Sequence, residues 1–420
     1  MSFDPKVTPI RQRAEQEQAK INTEGFIVNQ KGEPVACELN LLVAARMFES
    51  LAGVFFDEFR GRPMRASDEG MSIVTDDHAL ALLLQFQRKY NPRAKANQAR
   101  GALKALIAER QRDTLREYIE GLPTWDGVAR IESAFCDIVN APDTPLIRAA
   151  SANFFISMIA RGLARPPNGV KVDQCYIFEG DQGILKSTFL EVVGGEFHAE
   201  ISAHIGTDNF ARQLRGVWVA DMSELSSLPR ADAETVKQAI TVTKDRGVPK
   251  YEEHARDYIR RCIFAAGTNR TDYLHDQTGN RRFIPVPCAA PIRIDLLREN
   301  REQILAEALH LYRNDTPWWE FPQAEAEAAQ EARRAPDPWE DQLRHVIEHG
   351  KTESDSFGNV VKKFPSGWVS SAEIQSTFLG LTAAQLPPQG SKRLGGVMRA
   401  LGYIPDKGPR GVRGWKPAKN

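Results

Sequence analysis

The stretch of this 420-residue chain that most restricts its fold is Gln174–Val193. Cys175-Tyr-Ile-Phe178 is a short apolar run, Gly180 and Gly183 follow, and Lys186-Ser187-Thr188 opens a second apolar stretch that runs to Val193. A brief continuous apolar run stopped by glycine reads as a buried strand, and the segment after it reads as a helix. Strand, glycine-rich turn and helix is the setting a phosphate-binding loop requires. In Gly180-Asp181-Gln182-Gly183-Ile184-Leu185-Lys186-Ser187-Thr188, backbone N–H groups at the helix start would face phosphates, aided by the helix dipole. Lys186 would reach the β- and γ-phosphates, and Ser187 would offer its hydroxyl to Mg²⁺. The pattern G-x-x-x-x-G-K-[ST] is met at Gly180, Lys186 and Ser187 and broken at Leu185, where a Cβ restricts the backbone and its approach to phosphate.

Two further apolar runs repeat the theme. Gly216-Val-Trp-Val-Ala220 ends in Asp221, with Glu224 three residues on. That pair suits an Mg²⁺-coordinating carboxylate and a glutamate that polarises an attacking water. Arg261-Cys-Ile-Phe-Ala-Ala266 leads into Gly267-Thr268-Asn269, where the Asn269 amide could orient water. Helical stretches at residues 187–193 and 232–241 lie between the runs, so a parallel sheet covered on both faces is expected. Ligands of such sheets bind at the carboxyl ends of the strands, which makes Lys186, Asp221, Glu224 and Asn269 one coherent set. Arg281 and Arg282, on a loop led by Gly279, are candidates for stabilising charge on a transferred phosphoryl group, in cis or from a neighbouring copy.

Outside this region the chain divides by composition. Residues 1–36 are polar and read as a flexible arm. Residues 37–122 are dense in apolar residues at helical spacing and read as a mainly helical domain, with a hairpin near residues 54–62. Leu122-Pro-Thr-Trp-Asp-Gly127 marks a boundary. The α/β region spans 123–322, and an alternating acidic/alanine stretch, 323–334, leads to a last unit at 337–420 with helices at 339–349, 371–379 and 392–401. Five scattered cysteines (Cys37, Cys136, Cys175, Cys262, Cys288) offer no zinc spacing. No apolar stretch has the length of a membrane span, and a cytoplasmic protein is expected. His345-Val-Ile-Glu-His349 and Asp76-Asp77-His78 are set aside as metal sites. The first lacks a third ligand, and the second precedes an apolar helix that it would cap.

Lys and Arg together number 55, as do Asp and Glu, so only local charge points to a partner. Between the second and third runs lies a basic stretch that holds Arg246, Lys250 and His254. Residues 391–420 hold eight Lys or Arg against the single acid Asp406. This is the electrostatic footprint of nucleic-acid binding, with Lys392, Arg393, Arg399, Arg410 and Arg413 as contacts. Two helices followed by a two-strand wing with an arginine-rich tip suggest a winged-helix-like domain.

Trp125-Asp126-Gly127, Glu179–Gly183 with Lys186–Thr188, Asp221–Leu225, Gly267–Arg270 and Gly279–Phe283 together resemble the virulence-associated E family. Its members are phage- and plasmid-type replication proteins similar to superfamily 3 helicases. The likeness is clear over residues 112–287. It implies an α/β AAA+ P-loop ATPase core, with ATP and Mg²⁺ as cofactors, that assembles into a homo-oligomeric ring, a hexamer, and translocates on single-stranded or origin DNA, with other replication proteins as further partners. By the resemblance Asp221 and Glu224 are the Walker B pair, Asn269 is sensor 1, Arg281 or Arg282 the arginine finger, and Arg246, Lys250 and His254 lie in the insertion whose hairpin would grip a DNA phosphate backbone in the central channel. A helicase or origin-remodelling motor of a prophage or mobile element is therefore expected. The alternative is a DNA-binding regulatory protein that holds nucleotide with weak or no hydrolysis because of Leu185. Residues 1–120 show no paired carboxylates suited to priming.

Overall fold

A computed structural model describes residues 20–222, 233–247, 256–274, 280–335, 337–355, 358–382 and 390–418. Glu224, Lys250 and His254 lie outside the described residues.

The N-terminal unit opens with a two-residue antiparallel pairing, Lys20–Ile21 with Ile27–Val28, and Phe26 is fully buried in the unit's core, so residues 20–36 are not the flexible arm expected. Helix α1 (Glu38–Met47) follows, then strands β1 (Val54–Asp57), β2 (Arg62–Ser67) and β3 (Gly70–Ile73). Helices α2 (Asp76–Lys89) and α3 (Ala96–Glu109), a short strand β4 (Gln111–Arg112) and helix α4 (Thr114–Glu120) complete it. Its four-stranded sheet, in the order β3-β2-β1-β4, is larger than the single hairpin expected. The reason is composition: Arg62-Pro-Met-Arg-Ala-Ser67 has too little apolar alternation to read as a strand. Asp76-Asp77-His78 does cap α2, where the Thr75 backbone N–H donates to His78 Nδ1 at 3.1 Å.

The central unit starts with the 18-residue helix α5 (Pro145–Gly162), opened by Thr144 as N-cap and Pro145 at its first position. Then follow β5 (Cys175–Glu179), α6 (Lys186–Gly194), β6 (His198–Glu200), α7 (Asp208–Gln213), β7 (Val219–Asp221) and α8 (Ala233–Thr241). An antiparallel hairpin, β8 (Lys244–Gly247) with β9 (Arg256–Ile259), precedes β10 (Ile263–Thr268), β11 (Phe283–Pro287), α9 (Ile294–Arg313) and α10 (Gln323–Glu331). Five parallel strands form one sheet in the order β11-β5-β10-β7-β6.

Alternation along the strands sorts the two faces. Tyr176, Phe178, Ile263, Ala265, Ile284 and Val286 pack into one core with α5, α6 and α9. Cys175, Ile177, Phe264, Ala266 and Phe283 pack on the other face with Phe210 of α7 and Val236 and Ile240 of α8. Near-continuous apolar runs are what a sheet buried on both faces demands. β11 went unread because Pro285 and Pro287 argue against a strand; it is an edge strand, where proline is tolerated. The alternating acidic/alanine stretch forms helix α10, which packs on β11, and Gln330 Nε2 donates to the Phe283 carbonyl at 3.1 Å. Leu115 and Ile119 of α4 also enter the central core, ahead of residue 123.

The last unit has its own core around Leu343, Ile374, Val397 and Trp415. It holds α11 (Pro338–His349), a hairpin of β12 (Lys351–Asp355) and β13 (Gly358–Lys362), and β14 (Val369–Ser370). A helical turn at Ser371–Glu373, α12 (Gly390–Ala400), β15 (Tyr403–Lys407) and β16 (Arg413–Pro417) complete it. β15 and β16 pair as the expected two-strand ribbon, and β16 also pairs with β14. Among the described residues no helix is long and apolar enough to cross a membrane, and no group of His, Cys, Asp or Glu could hold a metal ion by itself.

Candidate active site

The glycine-rich loop leaves the carboxyl end of β5 between two supports. Gly180 N–H donates to the Thr268 carbonyl at 3.1 Å, and the Cys288 N–H donates to the Glu179 carbonyl at 2.7 Å. Gly180 sits at φ +154, and a Cβ there would stand 2.6 Å from Ile184 Cδ1 and 2.7 Å from the Cys288 oxygen, so only glycine fits. Phe189 of α6 packs on Phe178 of β5 at 5.0 Å between ring centroids, which fixes the helix over the strand.

Leu185 adopts the left-handed conformation, φ 71 and ψ 30, as the N-cap of α6. The chain thus takes at Leu185 the backbone that glycine would adopt freely, at a cost of about 1–2 kcal/mol. Its side chain is 44% exposed, so little packing offsets that cost. Apart from the tight turn at Gln182–Gly183, which draws the Ile184 N–H toward the Asp181 carbonyl, none of the described backbone N–H groups from Gln182 to Thr188 meets a protein acceptor in hydrogen-bond geometry. Asp181, Gln182, Gly183 and Ser187 are exposed, while Ile184 tucks into the core. A helix start with a run of outward N–H groups is an anion site.

Lys186 Nζ donates to the Gly180 and Asp181 carbonyls, both at 2.8 Å, so its ammonium lies across the loop. Desolvation lowers its pKa, and nearby Cys288 and Asp181 oppose the shift. The Lys186 stem runs beside Gly267 of β10, where a Cβ would stand 3.4 Å from its carbons. Asn269 follows Thr268, whose carbonyl holds Gly180, and is exposed beside the loop.

Asp221 is 2% exposed, and its Oδ2 lies 3.9 Å from His198 Nε2. Sheet register sets Asp221 level with Ala265, two positions short of Gly267. That is about 7 Å along the strand and one strand spacing, about 5 Å, across. Ser187 and Asp221 are hard oxygen donors of the type that hold Mg²⁺ together with phosphate oxygens and water, not in an all-protein cage.

Arg281 and Arg282 form a 3₁₀ turn, Asn280–Arg282, at the amino end of β11. β11 lies level with β5, from Phe283 opposite Cys175 to Pro287 opposite Glu179. The arginines are thus about five residues, roughly 16 Å, from the loop of their own chain. Within one chain the structure does not bring them to Lys186.

Glu179, to which the sequence assigns no role of its own, anchors the loop from behind. Its carboxylate, 6% exposed, accepts from Tyr273 Oη at 2.6 Å and from Arg333 Nε and Nη2 at 2.8 and 2.7 Å. These residues are 154 positions apart, and only the fold joins them.

Of the basic candidates, Arg246 is exposed on β8. Lys392 is carried by α12, and Arg410 lies in the turn between β15 and β16. Arg413 is exposed at the start of β16. Arg393 is tied down: it pairs with Asp337 at 2.8 Å and lies 3.9 Å over the Trp339 ring, which pins α12 to α11. Arg399 lies 5.9 Å over Trp415. His345 and His349 stack on each other at 4.7 Å.

A parallel sheet buried between helical layers, with a glycine-rich strand–loop–helix connection at its carboxyl edge, defines a mixed α/β protein. The virulence-associated protein E-like domain matches residues 119–337, more than half of the chain, and the protein belongs to that family. No curated protein matches. Among solved structures, the apo structure of the NrS-1 C-terminal region (305–718) is similar at 10% identity and a TM-score of 0.46, covering 91% of this chain and 99% of that one. An A-form apo structure of the same region aligns at 12% identity and a TM-score of 0.43, covering 91% and 100%.

Proposed function

We propose that the protein is a P-loop ATPase of the AAA+ type that works on DNA in the replication of a prophage or mobile element. The observation that carries this reading is the run of N–H groups from Gln182 to Thr188, all but that of Ile184 without a protein acceptor, closed by Lys186 at the end of a buried parallel strand. Backbone N–H groups and Lys186 would hold the phosphates of ATP, and Ser187 with Asp221 would hold Mg²⁺, which supplies charge neutralisation at the β- and γ-oxygens. Asn269 would orient the attacking water, and Glu224 is the proposed base.

Arg281 and Arg282, too far from the loop of their own chain, are proposed to act on a neighbouring copy. Hydrolysis would then depend on a ring, such as a hexamer. The last unit is proposed as a winged-helix-like DNA reader, with Arg410 and Arg413 on the ribbon and Arg399 and Lys392 on α12. Arg393, engaged by Asp337, serves that unit's structure.

A second reading rests on Leu185. Its strained backbone favours a protein that binds nucleotide and turns it over slowly, as a regulator of replication. ATP hydrolysis measured with and without single-stranded DNA, alongside sizing in nucleotide, separates the two. The motor reading predicts DNA-stimulated hydrolysis, an assembled ring, and loss of both activities of an assembled enzyme, hydrolysis and unwinding, in Lys186→Ala. Hydrolysis unchanged in that variant sinks the motor reading.

A further inference from the structure

A cleft of about 450 Å³ opens at the end of the sheet away from the glycine-rich loop. Gly216 reaches it from ahead of β7, and Arg260 and Arg261 from ahead of β10. Since β10 runs from Ile263 to Thr268, the cleft stands roughly 20 Å from the loop. Its other walls come from Glu58 and Phe59 of the N-terminal unit, Asp113 and Arg116 around α4, Arg165 just beyond α5, Arg215 after α7, and the hairpin β8–β9.

In a chain whose formal net charge is zero, this cleft is lined by five arginines against four carboxylates. The carboxylates are mostly engaged. Asp113 pairs with Arg261 at 2.7 Å and Arg116 at 3.7 Å, and Asp245 pairs with Arg260 at 2.5 Å. Asp257 lies 3.4 Å from Lys244, and Glu58 stands exposed at the rim. Among the described residues, Arg165 and Arg215 have no carboxylate within 4.0 Å. Behind the wall lies Arg161, fully buried, which donates to the Val172 carbonyl at 2.8 Å and whose Nε has no partner. Burial lowers its pKa to about 10, so at neutral pH it remains a cation in a poorly screened interior.

The cleft also carries an aromatic platform. The Arg215 guanidinium lies 3.5 Å over the Tyr258 ring. The edge of that ring faces the turn at Gly61, where a Cβ would stand 3.6 Å from Tyr258 Cε1. Guanidinium edges for phosphate and stacked planes for sugar and base are the parts single-strand sites use. The volume suits about one nucleotide unit and excludes a duplex.

We infer that this cleft binds the phosphate backbone of a single nucleic-acid strand, with Arg165 and Arg215 as its phosphate contacts and the Arg215–Tyr258 stack as the wall against which a base lies. The choice of a strand over a free nucleotide rests on the DNA-directed function proposed above; the cleft's affinity for phosphate rests on its own geometry.

The test uses the full chain and a fluorescein-labelled oligothymidylate, with anisotropy read at several salt concentrations. A second arm uses an oligonucleotide bearing 5-iodouracil, cross-linked by light and mapped by mass spectrometry. The double variant Arg165→Ala/Arg215→Ala should weaken binding tenfold or more and lower the salt slope by about 1–2. A cross-linked peptide containing Tyr258 should appear in the wild type and vanish in the double variant, while Mg·ATP binding at the distant loop stays unchanged. Arg165→Lys, which keeps the charge at an exposed position, should retain most of the affinity. Unchanged affinity and slope in the double variant, with no cross-link at Tyr258, overturns the inference. Pyrophosphate or ATP that binds the cleft and erases the cross-link while the oligonucleotide does not bind there overturns the choice of a strand. Lys186→Ala binding the oligonucleotide normally but failing to hydrolyse ATP leaves the cleft standing and bears only on the motor.

Discussion

Leu185 is the residue at which the loop departs from its pattern, and its backbone offers a direct check. The informative comparison is Leu185→Gly against Leu185→Ala. Both variants remove the same side-chain atoms beyond Cβ, so the half-burial lost from a residue 44% exposed cancels between them. What differs is the Cβ held at φ 71. Removing it relieves about 1–2 kcal/mol of left-handed strain. Against this, glycine raises unfolded-chain entropy by about 0.4–1 kcal/mol. The glycine variant should therefore be more stable than the alanine variant by about 0.5–1 kcal/mol. With a urea slope of about 2–3 kcal/mol per M, the midpoints should differ by roughly 0.3 M. The fluorescence of Trp218, buried in the central core, reports the transition that contains the loop. An alanine variant as stable as the glycine variant, or more so, would refute the left-handed conformation at Leu185.

Three other outcomes follow from the geometry. Glu179→Gln leaves Arg333 without its carboxylate in a nearly buried pair and should cost about 2–3 kcal/mol, seen as a lowered Tm of the central unit; a double change with Arg333→Met should cost less than the two single changes together. Hydrogen bonds from Arg130 and the Val128 N–H hold the Asp126 carboxyl at about 2, below its ordinary 3.8, so its contribution is present above pH 4 and is lost as pH falls through about 2. A carbon-detected NMR titration should find Asp126 ionising near 2, and higher in Arg130→Ala. Burial pushes the Cys288 thiol up to about 12, so at pH 8 it should resist iodoacetamide in the folded protein and react readily in urea.

Much of the central sheet was legible because β5, β7 and β10 are buried on both faces and read as continuous apolar runs. Lys186, Asp221 and Asn269 could be placed at one edge for the same reason: each closes or follows such a run. β6, with three residues, is too short to carry a pattern, and β11 is masked by its prolines. The hairpin β12–β13, Lys351-Thr-Glu-Ser-Asp355 with Gly358-Asn-Val-Val-Lys362, lacks the apolar alternation that would announce it. Local sequence also does not show that Glu179 meets Arg333, or that Arg281 and Arg282 stand at the far end of β11. Those relations depend on register and on helices that return from distant parts of the chain. The cleft around Arg165 and Arg215 is of the same kind, assembled from segments some two hundred positions apart.

The central claim is that the loop from Gly180 to Thr188 holds the phosphates of ATP through its backbone N–H groups and Lys186. Equilibrium titration of Mg·ATP into the wild-type chain and into Lys186→Ala tests it most directly. Loss of one or two charge-assisted hydrogen bonds, about 1.5–3 kcal/mol, should weaken binding roughly 10- to 100-fold. Equal affinity in the two proteins, or no binding to the wild type, would contradict it.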